Sequence, residues 1–263
     1  MSDNSIGVLT VATNKYIYYW IDLVKSASKN ILDSNLVFHV FTDQVSVAKQ
    51  FECTSSNIRV IIHEIPAHGW PEATLLRYSI FGEFSSKIVE PILMHLDADM
   101  LICTDFTVEL PPSFINGIGL VRHPGFFRPN SINLISYYAK NLRFLTRDVR
   151  MKVRIGGLGS WEINSLSRAF VARKKRKIYV CGGTWFGVRE NFFKMVAELD
   201  QSVNVDSLNG VMATWHDESH LNWWKSNNDC TVLSSSFCFD PTYSQLKNLP
   251  EFIRAVDKRL DTK

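Results

Sequence analysis

Two acids separated by one residue stand where an apolar run ends, in His95-Leu96-Asp97-Ala98-Asp99-Met100. Carboxylates that close repel each other unless a cation neutralises them. A hard divalent ion that also accepts phosphate oxygens does so, although these residues alone leave a solvated turn equally open. A second cluster, Trp215-His216-Asp217-Glu218-Ser219-His220-Leu221-Asn222, sets His216, Asp217, Glu218 and His220 beside Trp215, Trp223 and Trp224. Rings next to acids suit a sugar, whose apolar face stacks while its hydroxyls bond carboxylates. His216 and His220 also have the i, i+4 spacing of a zinc-protease helix. Asp217 takes the place of that motif's Glu, however, and Glu218 falls about 100° round from it. A metal-dependent hydrolase using His216 and His220 is therefore the alternative, and a helix start favouring acids near its dipole is the plainest reading. His123-Pro124-Gly125-Phe126-Phe127 adds a histidine of little weight by itself. Gly69-Trp70-Pro71 is followed by Arg77, one to two helical turns in, where a guanidinium could reach a phosphate.

Alternating elements must position these groups. The apolar run IGVLTVAT predicts a strand over 6–13, and Trp20, Leu23, Val24 and Ala27 share one face of a helix over 18–32. Strands are expected over 37–42, 58–65 and 92–96, the last buried on both faces, with a helix from Pro71 through Phe84. This order implies an α/β fold with a mainly parallel, Rossmann-like sheet covered on both sides. Ligands of such sheets sit beyond the carboxyl ends of the strands, which points at Asp97. The second half is less regular. Gly156-Gly157-Leu158-Gly159 reads as a mobile loop and Gly182-Gly183 as a tight backbone passage. One domain over 1–263 is expected, with a nucleotide-sugar side at 1–105 and an acceptor side plus C-terminal lid at 106–263.

At 263 residues, 46% hydrophobic and 21% charged, the chain can bury a sizeable core, which excludes disordered, collagen-like and disulfide-stapled classes. Cys53, Cys103, Cys181, Cys230 and Cys238 are odd in number and lack a C-x-x-C pair, so free thiols in a reducing compartment are expected. The first residues show no signal-peptide pattern, and no run reaches the length of a membrane span. The expected location is cytoplasmic, peripheral at most to the inner face of a membrane. Net charge is +3, but residues 140–177 carry twelve Lys and Arg against Asp148 and Glu162, a local +10 that leaves the rest at −7. That segment could meet an anionic membrane or a phosphorylated ligand, or form a solvated loop. No helix-turn-helix, finger or RNP pattern occurs, so nucleic acid is not expected.

In chain order these residues resemble glycosyltransferase family six, the family of the histo-blood-group A and B transferases and the α1,3-galactosyltransferase. The resemblance runs through Val11-Ala12-Thr13-Asn14-Lys15-Tyr16, Val40-Phe41-Thr42-Asp43, Gly69-Trp70-Pro71, Leu96-Asp97-Ala98-Asp99-Met100, His123-Pro124-Gly125-Phe126 and Cys181-Gly182-Gly183-Thr184-Trp185-Phe186-Gly187. Residues 215–222 are its most specific match. The segment 128–159 is longer and more basic than the family's loop, Thr184-Trp185 departs from its usual pair, and the family's membrane anchor is not seen, as in its bacterial or phage-like members. The resemblance implies a GT-A fold and retaining transfer of GalNAc or Gal from a UDP-sugar, with α1,3 linkage, to a galactoside acceptor. It implies Mn2+, or another divalent ion, on Asp97 and Asp99. It places the donor at Val11, Thr13, Tyr16, Arg77, Asp97, Ala98, Asp99, Cys181, Gly183, His216, Asp217 and Lys258. It places the acceptor at His123, Trp215 and Asp240, and makes Glu218 catalytic. Gly183, with the small Cys181 beside it, implies UDP-GalNAc over UDP-Gal. A catalytically silent sugar-binding protein on the same scaffold is the remaining alternative.

Overall fold

A computed structural model describes residues 5–51, 53–129 and 131–257. The first half alternates as its periodicity requires. β1 (Ile6–Val11) leads into α1 (Tyr16–Asn30), then come β2 (Leu36–Thr42), α2 (Val45–Ala48), β3 (Cys53–Ser55) and β4 (Ile58–Glu64). The helix expected after Pro71 is interrupted at Leu76, giving α3 (Glu72–Leu75) and α4 (Arg77–Glu83), ahead of β5 (Ile92–Leu96) and β6 (Met100–Ile102). The second half contains β7 (Ile118–Arg122), α5 (Ser131–Lys140), α6 (Leu142–Arg154), β8 (Val180–Val188), α7 (Arg189–Leu208), α8 (His216–Asn227), β9 (Thr231–Leu233) and β10 (Ile253–Ala255).

One eight-stranded sheet in the order β3-β4-β2-β1-β5-β8-β7-β9 runs through both halves. β4, β2, β1 and β5 are parallel, whereas β8 lies antiparallel to both β5 and β7. β1 is interior, which is why its sequence is apolar except at Thr10 rather than alternating. Trp20, Val24, Phe38 and Phe186 fill the core on one face, and Phe41, Phe81, Trp185 and Phe192 the core on the other. Three layers result. α7 closes the second face through Phe192, Met195, Val196, Leu199 and Val203, a helical spacing already present in the sequence.

Two expectations change. Residues 156–159 are packed rather than loose: a Cβ at Gly157 would lie 2.2 Å from the Arg176 carbonyl, and the Arg176 guanidinium donates to the carbonyls of Ile155 and Val171. Part of the basic segment is also taken up by contacts within the chain. Arg173 binds three carbonyls at the end of α6, and Arg147 binds the Gly125 carbonyl. The face left for an anionic membrane is thus smaller than the charge count implies. No helix among the described residues is long and apolar enough to cross a membrane.

Candidate active site

The chain leaves β1 towards β2 and β4 on one side and returns to β5 on the other. Such a reversal opens a crevice beyond the carboxyl ends of the two strands. A cavity of about 530 Å³ lies there. Val11, Thr13 and Tyr16 line it from the β1 side, Asp97, Ala98 and Asp99 from the β5 side, and Arg77 from α4. These expected residues, 88 positions apart at the extremes, do meet. The loop after β1 turns at Asn14, held at φ 54. Its N–H donates to Asp43 Oδ1 at 2.8 Å, and its amide donates to the His68 carbonyl, which the Thr13 hydroxyl also reaches.

Arg77, besides lining this cavity, pairs with both acidic motifs. Its side chain is only 7% exposed, with Nη1 at 3.1 Å from Asp97 Oδ1, 3.4 Å from Asp217 Oδ2 and 2.6 Å from His95 Nε2. Arginine only donates, so His95 Nε2 accepts and the ring proton sits on Nδ1, facing the Leu9 carbonyl at 3.1 Å. Burial and the Arg77 charge keep that imidazole neutral. The guanidinium therefore ties the two acidic motifs together from behind. Burial raises Asp217 to about 6 against the pull of Arg77.

A second cavity of about 610 Å³ shares Trp70 and Thr74 with the first. His123, Trp215, His216, Asp217, Glu218 and Tyr243 line it. Glu218 Oε2 accepts from the Gly182 N–H and Oε1 from the Tyr179 hydroxyl, both at 2.8 Å. Burial pushes this carboxyl up to about 7 even though both donors pull it down. Its ionisation thus costs the folded state more than the unfolded one, a penalty absent below about pH 4.5 and complete above about 7. Glu218→Gln is expected to be more stable than the wild type at pH 8, with the difference vanishing towards pH 5. Thermal melts at both pH values check this; a difference independent of pH would contradict it.

His216 sits at φ 47 with its ring 5.0 Å from that of Trp70. His123 Nδ1 accepts from the Gly125 N–H, which leaves the proton of the neutral ring on Nε2, and burial lowers its pKa to about 4. Trp215, half exposed, forms an outer wall.

The passage at Gly182-Gly183 is a bulge. Between the pairs Leu120–Trp185 and Arg122–Val180, β7 advances two residues and β8 five. The surplus folds over the end of β5, where the Gly183 carbonyl accepts from the Asp97 N–H at 3.0 Å. Other groups replace the lost ladder bonds. The buried Asn222 amide accepts from the Val180 N–H and donates to the Val180 carbonyl, each at 2.8 Å, and Glu218 takes the Gly182 N–H. Asn222→Ala leaves both Val180 groups unpaired, so we expect a loss of about 1–3 kcal/mol for each, measured by urea unfolding. A total below about 1 kcal/mol would show that this pairing does not hold the bulge.

The same bulge corrects one expected donor residue. Cys181 points into the core beside Cys238 and Phe186, away from both cavities, because the extra residues shift the alternation of β8. Gly183 faces Asp97, and a Cβ there would stand 2.8 Å from Oδ2. Asp240 does not line the second cavity; its carboxylate caps Thr242, and Tyr243 occupies the wall instead. His220 is turned away from His216 onto Ser202 and Asp206 of α7, so the zinc pair of the hydrolase alternative does not form. Lys258 lies outside the described residues. The Val256 N–H just before it donates to the Asp99 carbonyl. Tyr179 and Tyr243 carry no site signal in the sequence, since aromatic residues in apolar or turn segments read as core.

Asp97 and Asp99 both open onto the first cavity and offer hard oxygen donors. Among the described residues no group of three or more His, Cys, Asp or Glu could hold an ion. Two carboxylates completed by phosphate and water oxygens are the usual setting for a divalent ion on a nucleotide, so the residues fit such an ion only together with a diphosphate.

The model for glycosyltransferase family 6 matches residues 159–262. The chain is similar to the histo-blood group ABO system transferase 1 of Rattus norvegicus, 22% identical over 246 residues, covering 91% of this chain and 62% of the relative. It is similar to the human globoside α-1,3-N-acetylgalactosaminyltransferase 1, 24% identical over 254 residues, covering 93% and 64%. It is also similar to the O-antigen biosynthesis glycosyltransferase WbnI of Escherichia coli, 23% identical over 257 residues, covering 96% and 95%. The chain thus spans a little over three fifths of the first of these relatives.

Proposed function

We propose that the chain is a transferase of glycosyltransferase family 6, to which its second half is matched, and that it moves GalNAc or Gal, with retention and α1,3 linkage, from a UDP-sugar to a galactoside. The observation that carries the reading is Glu218. Its carboxylate is held by two donors where a crevice bearing two acids meets an aromatic-walled cavity. The nucleotide occupies the first cavity, with the uridine near Val11, Thr13 and Tyr16. Asp97 and Asp99 hold a divalent ion, Mn2+, with the diphosphate; when bound it supplies charge neutralisation to the leaving group. Asp97, His216 and Asp217 grip the donor sugar, and His123 and Trp215 face the acceptor.

Retention requires either two inversions through a carboxylate nucleophile or front-face attack on an oxocarbenium-like ion. In both routes a carboxylate on the far face stabilises the positive charge at the ring. Glu218 takes that place, with Tyr179 and the Gly182 amide fixing its oxygens. GalNAc is the favoured donor because the family resemblance at Gly183 implies it; Asp97 Oδ2 stands only 2.8 Å from where a Cβ of residue 183 would lie, so a larger residue there would crowd the donor side, and an acetamido-sized volume makes the preference a modest one. UDP release from a donor panel, with and without lactose-like acceptors and EDTA, tests the reading. Acceptor-stimulated, EDTA-sensitive release from UDP-GalNAc or UDP-Gal is expected; a protein that only binds sugars releases none.

A further inference from the structure

A third cavity, about 440 Å³, lies behind the aromatic wall of the acceptor-side cavity. Arg122, Arg128, Lys152, Arg176 and Lys177 line it, and no Asp or Glu does. Asp148 neutralises Arg128 through Nε at 2.5 Å and Nη2 at 2.6 Å. The other four cations form no ion pair among the described residues. Arg176 is the telling one. It is only 9% exposed, and its Nε and Nη1 are fixed on the carbonyls of Val171 and Ile155, which locks the fork without supplying a negative charge. Burial and the nearby Arg173 depress its pKa, as expected where no counter-charge is present. A buried cation without an anion is costly, whereas surface charges such as Lys174 relax into water.

The position of this cavity is as informative as its charge. Phe126 lines both it and the acceptor-side cavity. Tyr179 stands in its wall, with the ring 5.2 Å from that of Phe126, while its hydroxyl holds Glu218. Lys152 and Leu158 face it next to Met151 and Ser160, which face the acceptor side. One aromatic layer separates the reacting centre from a basin of uncompensated positive charge. The volume exceeds a lone oxyanion and suits a substituted sugar residue.

We propose that this cavity is an acceptor subsite: the glycan that presents its galactose to Glu218 carries an oxyanion, a phosphate ester or a carboxylate, on a neighbouring residue, and that group binds among Arg122, Arg176 and Lys177. With Nε and Nη1 of Arg176 held by carbonyls, its Nη2 is the donor left for such an oxyanion, and the locked guanidinium presents it without further ordering. The proposal rests on the transferase reading above, and its test separates the two.

Transfer is measured to a neutral galactoside-terminated oligosaccharide and to the same glycan bearing a phosphate ester, or a carboxylate, on the adjoining residue. Donor hydrolysis without acceptor is followed in parallel. For the wild type, KM for a charged glycan is expected to be about tenfold lower than for the neutral one, roughly the worth of one charge-assisted hydrogen bond. The double variant Arg122→Gln, Lys177→Gln, both outside the transfer machinery, should lose that advantage while its kcat and its KM for the neutral glycan stay unchanged. Equal KM values in the wild type, or an advantage that survives the double substitution, overturn the subsite while leaving the transferase reading intact. If no glycan is turned over, that reading fails, and calorimetry of phosphorylated against neutral glycan still decides the subsite. Stabilisation by inorganic phosphate equal to that by the phosphorylated glycan would identify a free-anion site and likewise overturn the proposal.

Discussion

Glu218→Gln is expected to fold, to bind UDP as the wild type does and to turn over roughly 10²–10³-fold more slowly. The swap is nearly isosteric. The new amide oxygen can accept from the Gly182 N–H or the Tyr179 hydroxyl, and the amide N–H can donate to the phenol oxygen, so the contacts that seat residue 218 persist. What disappears is the negative charge. If Glu218 only caps the start of α8, losing that charge near a helix N-terminus costs a few tenths of a kcal/mol, about 0.3–1, and leaves kcat alone. Steady-state kinetics beside a UDP titration separates the cases. Retained kcat would move the role to Asp217, which is less suited because Arg77 already engages its Oδ2 at 3.4 Å.

The second large effect is expected at the Asp-x-Asp pair. Asp97 is a poor probe, since Arg77 and His95 both contact its Oδ1, so that substituting it disturbs the link to Asp217 as well. Asp99 makes none of those contacts. Asp99→Asn should lose activity by about 100-fold or more, an amount in keeping with several kcal/mol of charge stabilisation at the leaving group. It should also respond poorly to added Mn2+. UDP binding in the presence of Mn2+ should weaken while binding in EDTA stays the same, an arm that isolates ion binding from general damage. Full activity of the wild type in excess EDTA would contradict the metal assignment.

How far the residues announced this site depends on the distance over which each contact acts. The β1 and β5 runs, IGVLTV and ILMHL, are short, apolar and separated by helical periods, and burial on both faces demands that composition. From them follow the parallel order and the place of Asp97. The cluster at 215–222 is equally local. By contrast, Arg77 reads as a free guanidinium until the fold brings Asp217 to it from 140 positions away. Tyr179 reads as core because its value lies in a hydroxyl bonded to Glu218, 39 positions on. Cys181, placed at the donor by the resemblance alone, lies in the core beside Phe186 and Cys238 because the three surplus residues of the bulge shift the alternation of β8. The helix α7 is legible, since its apolar spacing at Phe192, Met195, Val196, Leu199 and Val203 is regular.

The assignment of Glu218 to the far face of the sugar is the claim on which the rest depends, and the stereochemistry of the product tests it most directly. Proton NMR of the disaccharide formed from UDP-GalNAc or UDP-Gal and a galactoside reports the configuration of the new bond. An α-linked product, which keeps the configuration of the donor, is the result predicted for a carboxylate beneath the anomeric carbon. A β-linked product would contradict it, because inversion would require Glu218, if it acts at all, to remove a proton from the acceptor hydroxyl on the face of attack.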